Sequence, residues 1–214
     1  MRVSKAKAAQ NRRAILAAAA RLFREHGVSA TGVDSVTAAA GLTHGAFYSQ
    51  FGSKEAIAAE AVRDALKDSR KLWRRLAERN GPRQAFGAIV AQYLSPAHRG
   101  AAGQGCVVAA LAGEIARQPD RVRAAFTAEL KEGLDYLAAV IYPDDPSSGY
   151  DAAIVAFASM AGAMILARAV SDEDLSNRIL DVTAKRVIGL AGFESAPALL
   201  RRTTAQTKSS RHAK

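Results

Sequence analysis

Thr31-Gly-Val-Asp-Ser-Val-Thr-Ala-Ala-Ala-Gly-Leu-Thr-His-Gly-Ala-Phe-Tyr-Ser-Gln-Phe-Gly-Ser-Lys-Glu-Ala-Ile57 decides the fold of this 214-residue chain. Thr31-Gly-Val-Asp34 reads as a capping-box-like start, with Asp in the place of Glu or Gln. It predicts a short helix from about Val33 to Ala40 with Val33, Val36 and Ala40 on one face. Gly41 ends that helix, and Leu42 packs inward from the turn. Thr43 is an N-cap for a second short helix through Gln50, and Gly52-Ser53 ends it and caps a third. Two short helices joined by a glycine turn of about three residues form a helix-turn-helix pattern. Small Ala39 and Ala40 let the first approach its neighbours, and the open face of the second suits a DNA major groove.

Upstream, Asn11–His26 predicts a helix with Ile15, Ala18, Ala19, Leu22 and Phe23 as its apolar stripe, ended by Gly27. Downstream, Lys54 to about Arg79 reads as a long helix with Ile57, Ala61, Leu66, Trp73 and Leu76 on one side. Further helices are expected at 83–95, 106–117, 121–141, 150–169 and 174–190, with breaks at 95–96, 100–105, 118–119, 143–149 and 171–172. No stretch alternates with a strand period, so the fold class is all-α.

Composition agrees. Hydrophobic residues are 49% and charged residues 23% of the chain, an ordinary balance for a packed protein. Six prolines and 6% aromatics lean it further to helix. One cysteine, Cys106, excludes an internal disulfide and a multi-cysteine zinc site. The uncharged apolar run 152–167 falls short of a bilayer span, and no apolar leader segment stands near Met1, so a cytoplasmic protein is expected.

The net charge of +10 is concentrated at the ends. Residues 1–24 hold Arg2, Lys5, Lys7, Arg12, Arg13, Arg21 and Arg24 with no acid. Residues 199–214 hold Arg201, Arg202, Lys208, Arg211 and Lys214, also with no acid. Such ends suit a polyanion, or serve as solvated tails. The chain divides into a basic arm at 1–10, a helix-turn-helix domain at 11–53 (its motif at 31–51), a larger helical domain at 54–198 and a basic tail at 199–214.

Residues 11–57, from Asn-Arg-Arg-Ala-Ile-Leu through Phe-Tyr-Ser-Gln-Phe-Gly-Ser-Lys-Glu, resemble the DNA-binding domain of the TetR family of bacterial transcriptional regulators. The resemblance implies an N-terminal helix-turn-helix domain and a C-terminal helical domain that binds a small-molecule effector and dimerises. It implies a repressor released from a palindromic double-stranded operator by that effector. By position it carries DNA contact onto Thr43, His44 and Gly45 at the start of the recognition helix. Tyr48 and Lys54 are carried over as phosphate contacts, Ser49 as facing the same side, and Thr31 as a cap that also reaches a phosphate. Phe47 and Phe51 are carried over as core.

Physical chemistry supports these roles separately. Helix N-termini present free N–H groups, so Thr43–Gly45 and Ser53–Lys54 are ready phosphate sites. Gly45 removes a side chain from the approach to the duplex. Thr43, His44, Ala46, Ser49 and Gln50 can carry direct base readout. A lysine in the first turn, Lys54, opposes the helix dipole and needs another reason to be there.

In the larger domain, residues 152–167 are apolar nearly all round, which marks a helix covered on several sides. Ala158, Ser159, Gly162 and Ala163 are small at helical spacing, and the resemblance places a homodimer interface there. The effector pocket is expected among the helices from Lys54 to Ile141, with Trp73, Phe86, Tyr93, His98, Cys106, Phe126 and Tyr136 as its lining candidates. Arg117 and Arg123 could meet an anionic effector or be surface charges. Cys106, at a helix start, is either a reactive thiol, as in a family subgroup with Gly-Cys at that place, or inert packing. No cofactor or metal is implied. His-Glu-x-x-His, Gly-x-Ser-x-Gly, P-loop and dinucleotide fingerprints are absent from the sequence, which argues against an enzyme. The mostly alanine stripe of the first helix binds lipid weakly, which argues against a membrane partner.

Overall fold

The computed structural model describes residues 4–190. Among them are ten α-helices and no strand: α1 Lys5–His26, α2 Val33–Ala39, α3 His44–Phe51, α4 Lys54–Asn80, α5 Pro82–Tyr93, α6 Pro96–Gly100, α7 Val107–Ile115, α8 Asp120–Ile141, α9 Tyr150–Ala169 and α10 Glu173–Leu190. A 3-10 turn, Ala102–Gln104, precedes α7. The basic tail expected at 199–214 lies outside the described residues.

The described residues form two compact units, 4–69 with 101–132 and 70–100 with 133–190. α4 and α8 each contribute residues to both. The first unit thus holds α7 and the start of α8 beside the N-terminal helices, a grouping that crosses the 53/54 boundary read from sequence.

In the first unit α1 buries Ile15, Ala18, Ala19, Leu22 and Phe23, the stripe expected from its periodicity. The helix begins six residues earlier than Asn11, so most of the expected arm is helical. Ser4 caps it, its hydroxyl oxygen accepting the Lys7 amide at 3.2 Å, and Lys, Ala and Gln favour the extra turns. Gly27 ends α1 at φ +88, in the left-handed region that glycine enters without strain.

α2 has Gly32 as its N-cap and no side-chain cap, which corrects the capping box expected at Thr31. Val36 and Thr37 are its buried residues, and the Thr37 hydroxyl donates back to the Val33 carbonyl at 3.1 Å. Ala39 is exposed and Ala40 half-buried, so close packing through Ala39 does not occur. Gly41, at φ +64, turns the chain, and the Leu42 amide closes the turn on the Thr37 carbonyl at 2.9 Å. In α3 Phe47 is fully buried, with the Phe51 ring beside it at 5.9 Å. Ser53 caps α4 through the Ala56 amide at 3.1 Å.

In the second unit α9 packs on α10, α5 on α10 and α6 on α9. The helix α6 replaces a break expected at Ser95-Pro96. Proline is also a helix starter at the first position, where its missing N–H costs nothing. The Ser95 hydroxyl oxygen accepts the His98 amide at 3.1 Å as its cap. Residues 146–169 are long and apolar enough to cross a membrane by composition, but Ala153, Ala156, Phe157, Met160, Ala161, Ala163, Met164 and Ala167 of that stretch are buried inside the unit.

Candidate nucleic-acid interface

The start of α3 is built as an exposed, ordered edge. The Thr43 hydroxyl oxygen accepts the Ala46 amide at 3.4 Å, satisfying one free donor of the first turn and leaving the others outward. Thr43, His44, Gly45, Tyr48 and Ser49 are exposed, while Ala46 and Gln50 are half-buried. A Cβ on Gly45 would meet nothing within 4 Å, so no contact inside the chain requires glycine there. Tyr48 is 49% exposed because Phe47, edge-on to it at 5.3 Å, takes the inward position. The Ser49 hydroxyl donates to the Ala46 carbonyl at 3.0 Å and keeps its lone pairs.

Lys54 is half-buried, and its ammonium donates to the Ser29 carbonyl at 3.0 Å, across the α1–α2 connector. An ammonium has three donors, so this bond holds the side chain in place and leaves capacity for a phosphate. It also answers the dipole objection, since the lysine ties α4 to the connector.

Thr31 does not join this edge. It is 3% exposed, and its hydroxyl donates to the Gly27 carbonyl at 2.7 Å. The expected phosphate contact from Thr31 is therefore corrected to an internal bond that closes the α1–α2 connector.

The basic N-terminal helix is also partly engaged internally. Arg12 makes a bidentate pair with Glu60, its second bond at 2.5 Å, and its guanidinium lies 4.7 Å over the Phe51 ring. Arg24 donates to the Gly103 carbonyl at 2.7 Å, and burial lowers its pKa. Arg21 pairs with Glu25 at 2.7 Å. Arg13, Lys5 and Lys7 are on the same helix and form no ion pair among the described residues.

Two acidic residues were not singled out for this site in the sequence. Asp34, on α2, accepts from His44 Nδ1 at 2.6 Å across the turn. Glu114, on α7, accepts the Val28 amide at 2.8 Å and the Ser29 amide at 2.6 Å. Gln118 donates to both Glu114, at 3.2 Å, and the Ser29 hydroxyl, at 3.1 Å. Burial pushes the Glu114 pKa up, but the bonds from Ser29 and Val28 outweigh it and hold the carboxyl below its ordinary range. Glu114 lies 86 positions from Val28, beyond any local pattern.

The expected effector-pocket residues separate. Trp73, Tyr93, His98 and Tyr136 come together in the second unit around Phe157, which the sequence did not single out. Trp73 stacks on Tyr136 at 6.5 Å and meets Phe157 edge-on at 5.7 Å. Tyr93 meets Phe157 at 6.1 Å and His98 at 4.9 Å. His98 Nδ1 lies 2.6 Å from the Tyr93 carbonyl, and burial lowers its pKa, so the neutral ring donates there. Phe86 is fully buried in α5. Cys106 and Phe126 belong to the first unit, Cys106 buried as the N-cap residue of α7 and Phe126 half-buried. Among the described residues no group of three His, Cys, Asp or Glu could hold a metal ion.

On α9 the small residues also divide. Ala158 is exposed, Ser159 and Gly162 are half-buried, and Ala163 is 5% exposed. Ala163 therefore belongs to the interior of the second unit and not to an outward face. The outward stripe is Ile154, Val155, Ala158, Gly162, Ile165 and Leu166, at successive helical turns. Leu166 is 56% exposed, and α10 adds Leu175 at 46% and Val182 at 48%.

Residues 15–61 match the bacterial regulatory proteins of the tetR family. No curated protein matches the sequence. Among solved structures, a TetR-family transcriptional regulator from Agrobacterium tumefaciens is similar at 21% identity and a TM-score of 0.71, covering 84% of this chain and 98% of that one. The reduced form of NemR from E. coli gives 20% identity and 0.71, covering 84% and 96%. FadR from Bacillus subtilis, in complex with stearoyl-CoA, gives 17% and 0.60, covering 80% and 97%. At these identities the likeness establishes a shared fold.

Proposed function

We propose that this chain, whose residues 15–61 match the tetR family of bacterial regulatory proteins, is a DNA-binding transcriptional regulator: a homodimeric, cytoplasmic repressor released from a palindromic operator by a small-molecule effector. The observation that carries this reading is the capped, outward α3 edge from Thr43 to Ser49, with Tyr48 held half exposed and Lys54 anchored beside the connector. Residues 11–53 read the operator, and residues 54–198 bind the effector and dimerise.

The apolar stripe on α9, with Leu175 and Val182 of α10, supports the dimer. A row of large aliphatic side chains facing water is a poor monomer surface, and a two-fold partner would cover it. A two-fold dimer places two recognition helices roughly 34–36 Å apart to read one palindrome. The aromatic cluster around Phe157 supports an effector site with apolar walls and the neutral His98 as its polar group. The stearoyl-CoA held by the FadR neighbour supports a small-molecule ligand in this fold. The protein acts by binding and not by turnover: the effector shifts the population between operator-gripping and released states.

The experiment is a selection of genomic fragments with purified protein at about 150 mM salt, where non-specific binding is weak, with the mass in solution measured alongside. Enrichment of one or a few palindromic fragments by a dimer is expected. A folded protein that enriches no fragment, with or without cell metabolite extract, overturns the reading.

A further inference from the structure

Resting on that operator-binding reading, we infer that Asp34 is a specificity-positioning residue. It holds His44 as the tautomer whose bare Nε2 selects an adenine or cytosine amino group in the major groove. The two residues stand on different helices, ten positions apart, on either side of the Gly41 turn. His44 Nδ1 lies 2.6 Å from Asp34 Oδ1. An ionised carboxylate only accepts, so the proton must sit on Nδ1. The other neutral tautomer would set lone pair against lone pair at that distance. Tyr48, one turn along α3, holds the imidazole from a second side, its ring centroid 5.1 Å away and tilted by 42°. His44 Nε2 has no partner among the described residues, and the side chain is 53% exposed. The first residue of the recognition helix thus carries one orientationally fixed acceptor.

In the major groove adenine N6 and cytosine N4 donate, whereas guanine N7 and O6 and thymine O4 accept. A fixed acceptor favours the first pair and meets lone pairs on the second. Asp34 itself is 89% exposed and negative, which is a liability near phosphates unless it serves such a purpose. Both side chains are surface-exposed, so substituting them leaves the packed core intact.

The test has two readouts on the full chain at pH 8. In long-range 1H–15N spectra of the imidazoles, assigned with His44→Gln, wild type is expected to carry its His44 proton on Nδ1. Asp34→Asn, whose amide can turn either its oxygen or its NH2 to Nδ1, mixes the tautomers, and Asp34→Ala loses the bond. A wild-type His44 protonated on Nε2 overturns the inference. In a selection from randomised duplexes, wild type is expected to prefer A or C over G or T at one position per half-site, by roughly 2- to 12-fold for one hydrogen bond, and Asp34→Asn to do so more weakly. His44→Ala abolishes that preference at that position alone, and Asp34→Ala relaxes it. A base preference unchanged in Asp34→Ala overturns the inference. If wild type enriches a palindrome and all four proteins share one base preference, this inference fails alone. If wild type enriches no duplex, the operator-binding reading fails and takes this one with it.

Discussion

Replacing Glu114 by alanine removes the one carboxylate that accepts both the Val28 and the Ser29 amides. Those amides lie in the connector between α1 and α2, and the Ser29 carbonyl also receives Lys54. Hydrogen bonds to a charged acceptor contribute about 1.5–3 kcal/mol each where buried. Glu114 is only half-buried and water can replace part of the loss, so about 1.5–2 kcal/mol for the pair is the working figure. If the connector opens locally, that free energy appears as roughly 10- to 30-fold faster hydrogen exchange at Val28 and Ser29. The effect should depend on pH in a definite direction. The folded-state pKa of Glu114 lies below its ordinary value of about 4.3 because of these bonds. The carboxylate therefore stabilises the fold above the unfolded value, and this contribution is lost as pH falls through the lower folded value. The ratio of exchange rates between variant and wild type should be largest near neutral pH and shrink in acid. Gln at this position keeps one acceptor oxygen and should fall between the two. Equal protection of the two amides in Glu114→Ala and wild type at neutral pH refutes the reasoning, as does a ratio that grows on acidification.

Tyr48→Phe should weaken operator binding while the thermal midpoint stays within a degree or two, because the ring is half exposed and only the hydroxyl is lost; unchanged affinity in a filter-binding or anisotropy titration removes Tyr48 from the interface. Lys54→Ala should flatten the slope of log affinity against log salt by about 0.9, the signature of one phosphate contact; an unchanged slope assigns the lysine to the connector alone. Phe47→Ala should cost about 3–5 kcal/mol, since the ring is fully buried under α3; urea unfolding followed by circular dichroism measures it, and a loss under about 1 kcal/mol contradicts the packing described. Leu166→Glu should shift the protein to monomer in light scattering without unfolding it, because the residue is 56% exposed; a dimer that persists places the interface elsewhere.

The helix-turn-helix was legible because its signals are local. Thr43 caps, Gly41 turns and Phe47 points inward within one short stretch, each by backbone chemistry that acts over three or four residues. Composition also favoured the extra turns of α1, but the basic side chains before Asn11 masked the start at Ser4. At Pro96 the same residue type signals both a stop and a start, and the Ser95 cap decides which. Thr31 was misplaced because a threonine before a helix looks like a cap whether its hydroxyl faces the helix or, as here, the Gly27 carbonyl behind it.

The sequence by itself determined that the chain is helical, that residues 31–51 form a helix-turn-helix, and which side of α3 is open. All of these follow from short-range periodicity and capping. Only the tertiary structure decided that Arg12 and Arg24 are engaged by Glu60 and Gly103, that Ala163 faces inward while Leu166 faces out, that Phe157 gathers Trp73 and Tyr93, and that Glu114 and Asp34 tie down the connector and His44. The reason is physical: a backbone pattern fixes direction within a helix, whereas an acceptor for Val28 that lies 86 positions away is chosen by packing, which no local spacing encodes.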